Sequence, residues 1–210
     1  MTTLLALDAS TDACVVALRH QGRDYLETDD TPRMHARRML PMVSTILEKA
    51  GLSPQDVDAL AVGIGPGSFT GIRIAVGLAQ GMALGLDCPV HPVCSLAAAA
   101  WSVARSHAGT PVALIRDARM GEHYVGVFVW ENESLKVLLP PQLSPHEATG
   151  ALLKLWSPLL AGDEGQAVWP DGTALLELAA TVPAVRPDAL EPAYLRGHDA
   201  WKKMDTPKGH

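Results

Sequence analysis

Asp8, Ser10 and Thr11 follow a short apolar run, Leu4 to Leu7, and place a carboxylate and two hydroxyls at the end of a strand. A carboxylate there can hold a metal or act as a base, with the hydroxyls donating to a phosphate. The same residues also make an ordinary side-chain-closed turn. A second candidate is Gly65-Pro66-Gly67-Ser68-Phe69-Thr70-Gly71, between the apolar run Ala59 to Ile64 and a long helical segment. Glycines permit close backbone approach, Ser68 is a good helix cap, and a helix N-terminus offers unpaired N–H groups and partial positive charge. Asp8, Ser10, Thr11, Gly65, Gly67 and Ser68 are therefore the residues that would hold an anion or a nucleotide. The competing reading is two tight turns with no ligand. Neither segment is a GxxxxGK[ST] or GxGxxG loop.

The remaining reactive residues do not assemble. None of the eight histidines lies three or four residues from another, and HExxH is absent, so no metal site is expected. There is no GxSxG elbow and no local catalytic cysteine signature. Three cysteines without a CxxC suit a reduced, cytoplasmic chain. Arg116-Asp117-Ala118-Arg119 reads as a charged loop. No nucleophile is paired with a base.

One helix carries a different signal. Gly77, Gly81 and Gly85 recur every fourth residue, with Ala75, Ala79 and Ala83 beside them. Each glycine inside a helix costs about 1 kcal/mol relative to alanine. Close approach of another backbone along that stripe is the compensating gain, either within the chain or from a partner.

The elements that position these residues follow from hydrophobic period. Leu4–Leu7, Cys14–Leu18 and Asp24–Thr28 read as an antiparallel opening. Leu40, Val43, Leu47 and Ala50 are spaced as a helix, with Pro41 predicting a kink or a late start and Gly51 the stop. Ala59–Ile64, the glycine helix, Pro89–Val93 and the helix Ser95–Ser106 follow, giving β-β-β-α-β-α-β-α and an α/β fold with a mixed sheet. Beyond Ala108-Gly109-Thr110-Pro111 come strands at Val112–Ile115 and His123–Trp130. A capped helix start follows at Ser144-Pro145-His146-Glu147, and one more helix at Thr173–Thr181. The expected lobes are 1–107 and a smaller 108–190, with the tail 191–210 docked on the first. A chain of 210 residues with 48% apolar and 19% charged residues can bury a core. No apolar stretch of about 18 uninterrupted residues is present, so no membrane span or membrane partner is expected. The N-terminus lacks a basic segment before its apolar run and reads as a strand rather than a leader. The net charge of −6 repels a phosphate backbone except at a local basic patch. Arg33, Arg37, Arg38, Lys202 and Lys203 are the nearest basic candidates.

LLALDASTDACVVAL, AVGIGPGSFTGIRIAVGLAQGMALGL, DARMGEHYVGVF and AYLR followed by WKK together resemble the bacterial TsaB family, also called YeaZ. The similarity is most specific in GPGSFTGIRI and weakest over about 131–190. It implies an actin–hexokinase–Hsp70 ATPase-like (ribonuclease H-like) fold in two related lobes. It also implies kinship with TsaD, which transfers a threonylcarbamoyl group to N6 of adenosine 37 in tRNAs reading ANN codons. TsaD carries a metal-binding HxxxH after the strand matching Pro89–Val93, where this chain has Ser95 and Ala99. The resemblance therefore implies a scaffold without its own catalysis and without a resident cofactor. Its partners would be TsaD and the ATPase TsaE, with tRNA reached only through the complex and a homodimer formed when alone. The pairing surface carried over falls on His35, Leu40, Val43 and Leu47 of the first helix and on Arg73, Gly77, Leu78, Gly81, Met82 and Gly85 of the second. The alternatives are an independent nucleotide-binding enzyme using Asp8, Ser10 and Thr11, and a metallopeptidase, which the missing histidine pair opposes.

Overall fold

Alternation in the first strands decides the layering of the computed structural model, which describes residues 2–31 and 34–196. In β1 (Leu4–Asp8), Leu5 and Leu7 face one side of the sheet and Ala6 the other. In β2 (Cys14–His20), Val16 and Leu18 join the leucine side while Val15 and Ala17 take the other. This is the two-residue period of a strand. Both faces are apolar, so both need helices.

With β3 (Arg23–Asp29), β4 (Ala59–Gly63) and β5 (Val90–Val93), the first sheet runs β3-β2-β1-β4-β5, antiparallel up to β1 and parallel beyond it. Helices α1 (His35–Ala50) and α2 (Phe69–Leu86) cover the leucine face. On the alanine face lies α3 (Ser95–Ser106), whose residues from Leu96 to Trp101 are all buried. Ala98 and Trp101 pack on the first sheet, whereas Leu96, Ala100 and Val103 pack on the second. A helix apolar all round belongs between two layers, and α3 is the shared wall of the lobes.

The second sheet contains β6 (Val112–Arg119), β7 (Glu122–Glu131), β8 (Ser134–Pro145) and β9 (Leu159–Gly162), in the order β8-β7-β6-β9. Two antiparallel pairings followed by a parallel one repeat the β3-β2-β1-β4 pattern of the first sheet. The short helix α4 (His146–Leu153) covers its outer face through Leu153. This duplication of topology leaves no fixed period in the sequence. Helix α5 (Gly172–Ala179) comes from the stretch expected in the second lobe, yet packs against Val15, Ala17 and Ala61 of the first sheet.

Several expectations change. Pro41 neither delays nor ends α1, which begins at His35 and runs through it. The inward stripe of α1 is Met39, Val43, Ile46 and Leu47, and Leu40 points outward at 53% exposure. Arg116–Arg119 is strand rather than loop, because β6 and β7 extend to a tight hairpin at Met120 and Gly121, both with positive φ. Residues 134–145 form a strand the sequence reading lacked, and Ser144 and Pro145 belong to it. Ser144 caps nothing; its Oγ accepts a hydrogen bond from Thr149 Oγ1. Helix α2 is long and apolar enough to cross a membrane by composition, but its Ile72, Ala75, Val76, Ala79 and Ala83 side is packed on the sheet.

The segment 190–196 straps the lobes together. Gln80 Nε2 donates to the Leu190 carbonyl and Ala193 N–H to that of Ile64, both at 2.9 Å. Arg196 then reaches the β6–β7 hairpin, pairing with Glu122 and donating to the Arg119 carbonyl. Of the expected docked tail, residues 197–210, with Lys202 and Lys203, lie outside the described residues, as does Arg33.

Phe128 of β7 is fully buried in the cluster that includes Leu96, Ala100 and Val103 of α3. Phe128→Ala is expected to lower the unfolding free energy by about 3–5 kcal/mol. Urea denaturation followed by circular dichroism measures it, and a loss under about 1 kcal/mol would contradict this packing.

Candidate functional site

The two turns singled out in the sequence meet each other. Asp8 is fully buried, and three donors converge on its carboxylate. Ser10 gives its N–H (2.7 Å) and its hydroxyl (2.8 Å) to Oδ1, and Ser95 gives its hydroxyl to Oδ2 at 2.6 Å. The Ser95 oxygen in turn accepts the Gly65 N–H at 3.0 Å. The end of β1, the loop after β4 and the first turn of α3 are thus tied at one carboxyl group. Burial raises the Asp8 pKa above its ordinary value, opposed by the Ser95 and Ser10 hydrogen bonds and more weakly by Arg116.

Such packing needs missing side chains. A Cβ on Gly63 would overlap Asp8 Oδ2, one on Gly67 the Ser10 carbonyl, and one on Gly71 the Ala9 carbonyl. The Ser68 N–H donates to the Ser10 carbonyl at 2.7 Å, and Ser68 Oγ caps α2 by accepting from Gly71 N–H. Thr11 Oγ1 closes its own turn with the Ala13 N–H. The two turns named for an anion site are brought together, and the Ser10 N–H and hydroxyl, the Gly65 N–H and the Ser68 N–H are spent on Asp8, Ser95 and the Ser10 carbonyl. Gly67 admits the Ser10 backbone and Gly65 the Ile72 side chain.

Ser95 and Ala99 begin α3 and are both buried. A hydroxyl already committed to Asp8 and a methyl group provide no imidazole for a metal. Among the described residues no group of three or more His, Cys, Asp or Glu side chains is arranged around a metal.

The glycine stripe faces away from the core. Ala75, Ala79 and Ala83 take the inner side of α2, and a Cβ placed on Gly77, Gly81 or Gly85 would meet nothing within 4 Å. No part of the described chain fills that strip. Leu40 on the neighbouring α1 is exposed, and Leu78 and Met82 flank the strip half-buried. The other assigned interface residues need correcting. Val43 and Leu47 are 2% exposed and belong to the core beneath α1. His35 is also buried, and its Nε2–H donates to the Thr11 carbonyl at 2.7 Å. Arg73 lies at the strip's end, stacked on Phe69. Two exposed residues were missed: Leu84 at 77% and Phe69 at 61% exposure. Counting back in fours from Gly77 through Arg73 reaches Phe69, so the spacing held that signal.

Ser95→Ala leaves a buried carboxylate oxygen and the Gly65 N–H without their partner. It is expected to cost about 1–3 kcal/mol in urea unfolding. Because the folded-state pKa of Asp8 is raised, its contribution to stability is fully present below about pH 3.8 and is lost as pH rises through the elevated value. Asp8→Asn removes that titration, so the wild-type stability minus that of the variant should fall with rising pH. A constant difference across the range would refute the assignment.

Comparison with known proteins gives a consistent set of relatives. The family model "tRNA N6-adenosine threonylcarbamoyltransferase", TsaD, matches residues 29–158. A tRNA threonylcarbamoyladenosine biosynthesis protein TsaB from Escherichia coli is 38% identical over 96% of this chain and 97% of its own. Its counterpart from Haemophilus influenzae is 36% identical with the same coverage. The solved structure of YeaZ from Pseudomonas aeruginosa superposes with a TM-score of 0.81 at 35% identity, covering 93% of this chain and all of its own. With closed turns, two related sheets and near-full-length similarity in agreement, the chain belongs to the TsaB (YeaZ) family.

Proposed function

We propose that this chain acts in the biosynthesis of N6-threonylcarbamoyladenosine in tRNA as a non-catalytic subunit. In this reading it binds and supports TsaD, the subunit that makes the modification at position 37 of tRNAs reading ANN codons. The observation that carries the reading is the open glycine strip on α2, which faces outward with nothing of its own chain against it. Three interior glycines forgo about 1 kcal/mol each of helix stability. A second helix lying against the strip would recover it through close backbone contact and burial of Leu40 and Leu84. The Ser10, Gly65 and Ser68 N–H groups spent within the two turns argue against an independent nucleotide-dependent enzyme, and the Ser95 and Ala99 pair argues against a metallopeptidase. No cofactor of its own is required. TsaE completes the assembly, tRNA is met in the complex, and the chain pairs with itself through the same strip when TsaD is absent.

Reconstitution of the tRNA modification with and without this chain is the direct test: product should need TsaD in every case and fall sharply when this chain is omitted. Gly81→Leu supplies the steric arm. Since a Cβ at Gly81 meets open space, the variant should fold at least as stably as wild type, yet bind TsaD at least about ten-fold more weakly, a change of about 1.4 kcal/mol. Co-elution at wild-type affinity on size-exclusion chromatography would refute the interface.

A further inference from the structure

The strap over 190–196 is fixed at one end to the first lobe and at the other to a strained turn of the second. At its start, Leu190 is 2% exposed in the core beneath α2, and its carbonyl accepts from Gln80 Nε2. Ala193 N–H then donates to the Ile64 carbonyl at 2.9 Å. At its far end the Arg196 side chain, 22% exposed, pairs with Glu122 and donates to the Arg119 carbonyl at 3.3 Å and to Met120 Sδ at 3.0 Å. What Arg196 holds is costly backbone. Arg119 and Met120 have φ of 65° and 58°, in the left-handed region that penalises any residue with a Cβ. A bulge also breaks the β6–β7 ladder between Asp117 and Arg119. Two ties within the second lobe help: Asp117 Oδ1 accepts the Arg119 N–H at 2.8 Å, and the Gly121 carbonyl accepts the His146 N–H at 2.9 Å. Arg196 adds three contacts through a segment anchored on the first lobe.

We infer that the strap is a latch: its hold on α2 sets how firmly Arg196 pins the β6–β7 hairpin, so the two lobes tighten and loosen together. Only five residues lie between Leu190 and Arg196. A short tether fixed at one end keeps its other end at high effective concentration over its site. When Gln80 or Ala193 lets go, Arg196 ranges over a larger volume and occupies the hairpin less. The turn is then free to leave its left-handed conformation. Linkage makes the coupling reciprocal, so a tighter hairpin also steadies the strap against α2. The latch belongs to the isolated chain and holds whether or not TsaD binds α2. It makes the exposed turn of the second lobe answer to the state of a helix in the first.

Hydrogen–deuterium exchange on the full chain, read by mass spectrometry, tests the latch. Amides over 119–123 report the hairpin, and those over 112–115, in the interior of β6, serve as the control for global unfolding. Arg196→Ala should speed exchange over 119–123 about ten-fold and leave 112–115 unchanged. Gln80→Leu, a substitution at the opposite end of the strap, should speed the same amides at least about three-fold. The double variant should exchange like Arg196→Ala alone, because a strap already released at the hairpin has nothing left to transmit. Unchanged hairpin exchange in Arg196→Ala overturns the inference. So does loosening by Arg196→Ala with no effect of Gln80→Leu, which would make Arg196 a local pin. Effects that multiply in the double variant overturn it as well, since Gln80 would then act by another route. Should Gln80→Leu also speed 112–115, Gln80→Ala takes its place under the same criteria.

Discussion

The structure turns on one buried carboxyl group. Asp8 ends the central strand of the first sheet, and its two oxygens are claimed by the next turn and by the start of the helix between the lobes. A carboxylate removed from water is costly unless donors surround it, and here they come from Ser10 in the adjoining turn and from Ser95 far along the chain, itself tied to Gly65. Holding them that close requires Gly63, Gly67 and Gly71, because any side chain there would strike the opposite turn. The residues that suggest an anion site are thus the ones that close the space an anion would take. In this chain the local chemistry of strand-end acid and glycine loop does structural work.

That closure sets the relation of the lobes. Ser95 opens α3, and α3 forms part of both cores, so fixing its first turn fixes the wall that the two sheets share. The strap over 190–196 adds a second tie on another side, from α2 to the β6–β7 hairpin. Two ties at different places resist a hinge motion between lobes more than either alone. A chain built this way presents a fixed outer surface, which suits the scaffold role proposed above.

How much was legible in the sequence depended on the range of the forces involved. The opening strands, α2, α3 and the glycine strip were readable because apolar period and glycine spacing are local properties of the chain. The burial of Val43 and Leu47 was not, because the inward side of α1 is set by where the sheet lies. Met39 and Ile46 took the positions that a stripe including Leu40 would have given away. Strand β8 was hidden for a similar reason: with three prolines and few buried residues, it is held by pairing to β7 rather than by an apolar pattern of its own. The return of α5 to the first sheet is a long-range event that no window of sequence displays. Of the residues named for an anion, the structure brings the Asp8–Ser10 turn and the Gly65–Ser68 turn into contact. What the letters could not convey was that Ser95, far along the chain, would consume the acid.

The exposed strip on α2 also bears on how long a solitary copy survives. Glycine interiors loosen a helix, and segments that open most readily are the first that a protease can thread. A copy lacking a companion would keep that weakness, whereas one in an assembly would have it clamped. Under the proposed pairing, the supply of this polypeptide would be trimmed to the amount a companion can shelter, with stoichiometry enforced by turnover.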